Sequence, residues 1–161
     1  MAEAKSTKSG DLIATLEPYF TKKAPFQLPE NARKTLVQWL PWINIVVAVF
    51  GALAALSLLA LLGIANVATF GVVGAVAGPF LWIPFIALIA QVVIQFIAFP
   101  GLQARKLSAW KLLFWADILS FVYNVLYGFG RPFELVSGVL TGLIGLVIGL
   151  YLLFQIKSYY K

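Results

Sequence analysis

The chain contains no cysteine and no histidine. The first absence excludes disulfides and thiolate chemistry, and the second excludes an imidazole base and the usual axial ligand of a haem-like macrocycle. Charge is also scarce: 11% of the 161 residues are Asp, Glu, Lys or Arg, against 61% hydrophobic residues. Soluble domains carry about 25% charged and roughly 45–50% apolar residues. With a mean hydropathy of +0.93, water is the wrong solvent for most of this chain.

Catalytic signatures are missing too. Ser120 lies one turn after Asp117, but neither histidine nor lysine stands near it to act as a base. Gly71, Gly74 and Gly78 neither follow a strand nor precede a lysine and hydroxyl residue, as a phosphate loop requires. The sequence therefore reads as non-enzymatic, with no cofactor and no metal. Twelve basic residues outnumber six acidic ones, yet the cations cluster beside apolar runs. They do not form an independent patch for nucleic acid.

The chain does contain hydrophobic blocks of membrane length. A helix crosses a hydrocarbon core of roughly 30 Å with about 20 apolar residues, and four blocks satisfy this, at residues 41–63, 81–100, 109–127 and 135–155. The expected fold is an all-α integral membrane protein, a bundle of four transmembrane helices. Residues 1–40 form a cytoplasmic and interfacial N-terminal segment, and residues 41–161 form one membrane domain. Before the first span, Leu12, Ile13, Leu16, Tyr19 and Phe20 recur at helical spacing with Lys22 and Lys23 behind them. This pattern predicts a short amphipathic, interfacial helix, interrupted by Pro18. Residues 29–40 begin with Pro29 and Glu30, both favourable in a first turn, and read as a helix leading into the membrane, with a kink at Pro41 between Trp39 and Trp42. Residues 64–80 are uncharged, weakly apolar and rich in glycine. They are too short to cross alone, and are expected to form a loop, an interfacial segment or a re-entrant hairpin.

Lysine and arginine give the orientation. The N-terminal segment holds six, including Lys22, Lys23, Arg33 and Lys34; Arg105, Lys106 and Lys111 lie at the central loop; Lys157 and Lys161 lie in the tail. These eleven share one face of a four-span protein, and Arg131 is alone on the other. The positive-inside rule then places both termini in the cytoplasm, most naturally of a bacterial inner membrane. Lys22, Lys23, Arg33, Lys34, Arg105 and Lys106 are expected to meet anionic lipid.

Asp117 is the one acid inside an expected span. A charge at that depth costs ~2.5–3.5 kcal/mol on insertion scales, so it should face the bundle interior and have a partner. Ser120 and Asn124 extend a polar stripe from it, and Gln91 and Gln95 share a face of the second span. Equal depth from the central loop predicts a hydrogen bond between Gln91 and Asp117. In the fourth span, Gly138, Gly142, Gly145 and Gly149 form a stripe for close helix packing, within the monomer or against another subunit; Ala48, Ala52 and Ala55 are a looser version in the first span.

Three roles follow as expectations. The leading one is an accessory, scaffold or assembly component, in a homo-oligomer or larger membrane complex. The second is a small transporter or channel working through Asp117, Gln91 and Asn124. The third, a lipid- or pigment-binding subunit, rests on aromatic residues such as Trp110, Phe114 and Trp115. The first predicts that Gly142→Leu with Gly145→Leu loses association on native gels. The second predicts that Asp117→Asn loses flux while the protein still folds.

Overall fold

The computed structural model describes residues 9–24, 26–68, 71–128 and 132–161. They form five α-helices, α1 (Ser9–Thr21), α2 (Glu30–Ala68), α3 (Val72–Gln103), α4 (Leu107–Gly128) and α5 (Pro132–Ile156), and a 3-10 turn at Lys157–Tyr159. Four helices, α2 to α5, are long and apolar enough to cross a membrane. Short connections force antiparallel neighbours, and the facing pairs agree. Trp42 meets Phe99, Asn44 meets Gln95 and Gly51 meets Val92, so position falls along α3 as it rises along α2. The main packing follows chain order, α2 on α3, α3 on α4 and α4 on α5, while α2 and α5 touch sparingly. Outward faces are apolar, with Phe50, Leu56, Ile86, Ile97 and Ile144 well exposed.

The expected loop or re-entrant segment at 64–80 is replaced by helix. Helix α2 continues to Ala68 and α3 begins at Val72, so these residues are mostly the tips of two long helices. Gly71 makes the turn possible: its φ is 84° and its N–H reaches back to the Asn66 carbonyl at 2.8 Å. A side chain is strained in that left-handed conformation. At 1.5 Å per residue, the α2–α3 pair reaches about 15 Å further than the α4–α5 pair, measured from the central turn. The first apolar block likewise belongs to a single 39-residue helix that begins at Glu30 and runs without interruption through Pro41. Arg131, the cation expected on the opposite face, and the N-terminal residues 1–8 lie outside the described residues.

The best-packed part of the described residues is at the end that carries α1 and the C-terminal turn. Trp110, Phe114, Phe154 and Ile156 are fully buried there. Trp110 stacks on Phe114 at 5.9 Å and meets Phe154 edge-on at 5.4 Å, and Phe20 stacks on the other side of Phe154 at 5.5 Å. The indole Nε1 of Trp110 donates to the Leu153 carbonyl in the last turn of α5 at 2.8 Å. Of the aromatics proposed for ligand binding, Trp110 and Phe114 are core and leave no opening, whereas Trp115 packs edge-on against Phe114 and stays exposed.

Helix α1 continues past Pro18, and protein covers part of its apolar side, while Leu12 and Tyr19 stay exposed. Ile13 is buried, and Leu16 and Phe20 pack against the core. The carbonyls of its last turn are well used. Pro18 O accepts from Lys22 N and Lys23 N, Phe20 O from Gln155 Nε2 at 2.9 Å, and Thr21 O from Gln27 Nε2 at 3.0 Å. An ion pair of 2.6 Å between Glu17 and Lys157 adds a charge-assisted bond to α1's seat on α5.

The tail is tied down as well. Lys161 N donates to Arg105 O at 3.0 Å and Leu107 N to Lys161 O at 2.8 Å. These two bonds hold the α3–α4 turn, where Arg105 adopts a left-handed φ of 53° and Lys106 N closes the turn onto Gly101 O at 2.8 Å.

Trp110→Ala is expected to lower stability by about 3–5 kcal/mol through the cavity it leaves. Trp110→Phe should cost about 1–3 kcal/mol by stranding the Leu153 carbonyl. Unfolding of the purified protein in mixed micelles by added sodium dodecyl sulfate reads both.

Candidate functional site

The site forms where all four apolar helices face one another. A cavity of about 320 Å³ is lined by residues of α2, α3, α4 and α5, and its polar groups are Asn44, Gln91, Gln95, Asp117 and Ser120. The rest of the wall is aliphatic, supplied by residues such as Leu40, Leu113 and Leu152. Asp117 lies ten residues into the 22-residue α4, about 15 Å from its first residue. It is the only charged side chain lining the cavity among the described residues.

Each polar group arrives for a local reason. Gln91 and Gln95 are one turn apart on α3 and share its inward face; Asp117 and Ser120 do the same on α4. Asn44 is fixed by its amide, which donates to the backbone carbonyl of Gln95 at 2.8 Å in a buried contact. That bond also pins α2 to α3 at the cavity floor. Asn44 stands alone as a polar residue in a long apolar run, and the same argument that marked Asp117 would have found it.

Asp117 lies against α5. A Cβ added at Gly149 would collide with the carboxylate, standing 2.6 Å from Oδ1 and 2.7 Å from Cγ. Glycine at 149 is thus what lets the acid fold back onto the neighbouring helix. Its Oδ2 is buried and has no hydrogen-bond partner. The bond expected from Gln91 is not made to this oxygen, although both residues line the same cavity. Buried carboxylate oxygens are normally satisfied; this one, the carboxyl atom nearest the Gly149 position, is packed against α5 and lacks a donor among the described residues.

Asn124 is used differently. Its amide donates to Ser120 O at 2.8 Å within α4. Its side chain and backbone face α5: a Cβ at Gly138 would stand 2.7 Å from Asn124 O, and one at Gly142 would stand 3.0 Å from Asn124 Cβ. Asn124 belongs to the α4–α5 seam and does not line the cavity.

Three of the four stripe glycines are therefore used inside the monomer, at Asn124 and Asp117, whereas a Cβ added at Gly145 would meet nothing within 4 Å among the described residues. A leucine at 142 would strike the seam itself, so the paired change at 142 and 145 disturbs the fold before it reports on association. The surface cations divide similarly. Lys34 pairs with Glu30 at 2.7 Å, Lys23 lies 4.5 Å over the Tyr19 ring, and Arg105 and Lys106 occupy the α3–α4 turn at the same end.

The chain matches no known protein family, no characterised protein and no solved structure. The fold and the cavity thus define its class: an all-helical protein with four helices of membrane-spanning length around a polar centre.

Gly138→Ala and Gly149→Ala are each expected to cost about 1–3 kcal/mol, because the opposing atoms are a backbone oxygen and a packed carboxylate. Gly145→Ala should stay within about 0.5 kcal/mol of the parent. Detergent-unfolding midpoints of the three variants check the contrast.

Proposed function

We propose that the chain is a small multi-pass membrane transporter or channel that takes up a proton or small monovalent cation at Asp117, with both termini in the cytoplasm. The observation that carries this reading is the Asp117 carboxyl in the wall of a cavity shared by four helices, with a buried Oδ2 that has no partner among the described residues. Polar glue between helices would give that oxygen a donor from the neighbouring helix. An acid left without such a donor, beside a space of about 320 Å³, fits uptake and release better.

The chemistry favours cations. Asp117 supplies one negative charge, Asn44, Gln91 and Gln95 carry amide oxygens, and Ser120 a hydroxyl. Hard monovalent cations and protons are suited to such oxygens, whereas an anion would meet repulsion from the carboxylate and no cationic side chain on the wall. The accessory or scaffold reading is weaker than the sequence suggested, because most of the glycine stripe is used within the monomer. The cytoplasmic orientation rests on the concentration of lysine and arginine at the end that carries the termini and the α3–α4 turn.

In proteoliposomes holding the full-length chain, Asp117→Asn is expected to lower proton or monovalent-cation flux about tenfold or more, with Gly145→Ala unchanged. Parent flux no higher than that of empty vesicles would return the chain to the accessory class. Orientation is checked separately, since the chain lacks cysteine. In intact cells, a membrane-impermeant maleimide should label Ala68→Cys and leave Ser158→Cys unlabelled until the membrane is opened.

A further inference from the structure

A second cavity, of about 490 Å³, lies at the end that carries the termini, between α1, the start of α2 and the turn that follows α5. We propose that it is a binding site for a phosphate oxyanion, held by Arg33, Tyr160 and Lys22. Its position is separate from Asp117, and no residue lines both cavities.

Two of the buried polar atoms that lack a partner among the described residues belong to this one cavity: Arg33 Nε and Tyr160 Oη. Arg33 Nε is purely a donor and Tyr160 Oη carries a donor proton, so the group that satisfies both is rich in acceptors. The Tyr160 phenol is pushed up to about 12 by burial, against the opposing effect of Arg105. It therefore keeps its proton throughout the neutral range.

Charge points the same way. Lys22, Arg33 and Lys157 line the cavity against one carboxylate, Glu17. Lys157 already neutralises Glu17 at 2.6 Å, which leaves Lys22 and Arg33 as net positive charge.

Both donors are held in place. Arg33 sits in the first turns of α2, with Nη2 donating to Gln27 Oε1 at 3.4 Å, which leaves Nε directed elsewhere. Tyr160 is flanked by its backbone bond to Lys157 O at 3.0 Å and by the Lys161–Arg105 bond at 3.0 Å. The planar guanidinium and the ammonium suit a tetrahedral oxyanion, as in charge-assisted phosphate binding. The space exceeds that of the bare ion, and Leu107 and Phe154 give it an apolar wall. A phosphate carrying an organic substituent fits: the headgroup of an anionic phospholipid, or a soluble phosphate.

The test uses the full-length protein in neutral detergent. Native mass spectrometry reads titration with phosphatidylglycerol and, as a zwitterionic comparison, phosphatidylcholine; phosphorus NMR reads titration with inorganic phosphate. One saturable adduct per chain is expected, weakened about tenfold in Arg33→Gln and about threefold in Tyr160→Phe, the loss of a charged and a neutral donor respectively. Lys111→Gln, an exposed cation outside the cavity, should bind as the parent does. Saturation by phosphatidylglycerol alone identifies a lipid headgroup, and saturation by inorganic phosphate identifies a soluble ligand. The proposal is overturned if no ligand saturates, if Arg33→Gln and Lys111→Gln lose binding equally, or if Tyr160→Phe and a folded Arg33→Gln both bind like the parent. Should Arg33→Gln fail to fold, Arg33→Lys, which keeps the charge without Nε, takes its place with the same expected direction.

Discussion

The architecture depends on how closely backbones approach α4. On one side Gly101 lies against Ala109, where an added Cβ would stand 2.6 Å from the alanine Cβ. On the other, Gly138, Gly142 and Gly149 bring α5 against Asn124, Phe121 and Asp117. In lipid, apolar side chains gain little by leaving one hydrocarbon environment for another, so helices associate through close packing and a few polar contacts. Here the close packing decides which polar groups meet. The α4–α5 seam encloses Asn124 and turns Asp117 onto the Gly149 backbone, and the opposite face of the same carboxyl is left to the cavity.

Polar chemistry is correspondingly sorted along the helices. Two ion pairs between side chains, Glu30 with Lys34 and Glu17 with Lys157, sit at the end bearing α1 and the C-terminal turn, where the charges retain access to water or to one another. Further in, Asn44 spends its amide on the Gln95 backbone and Trp110 its indole on Leu153. A buried donor that is satisfied by a neighbouring helix fixes geometry, whereas a buried acceptor left open invites exchange with a mobile species. Asp117 falls in the second group, and that difference separates it from the structural polar residues around it.

The helix count, the three later apolar blocks and the inward-facing polar residues of α3 and α4 were legible because they follow from hydropathy and from i, i+4 spacing. The region 64–80 was not. Its glycines and proline read as helix breakers under preferences measured in water, but a membrane-length helix has no competing solvent for its backbone, and α3 runs straight through Gly74, Gly78 and Pro79. Asn44 was overlooked because a single amide near the start of an apolar run resembles an interfacial residue. The seat of α1 could not be read either, since an amphipathic helix has the same pattern whether its apolar side meets lipid or protein. Nor does sequence spacing show that Arg33 and Tyr160, far apart in the chain, line one cavity.

The unequal lengths of the two helix pairs carry a consequence for the surrounding lipid. A bilayer fitted to α4 and α5, at 22 and 25 residues, is thinner than the apolar length offered by α2 and α3. Set in a bilayer, the hydrocarbon boundary around one molecule would slope, thickening or tilting beside the α2–α3 hairpin, at a cost of fractions of a kcal/mol per Å of mismatch. The protein would act on its host membrane as a wedge, and its preferred location would depend on local bilayer thickness.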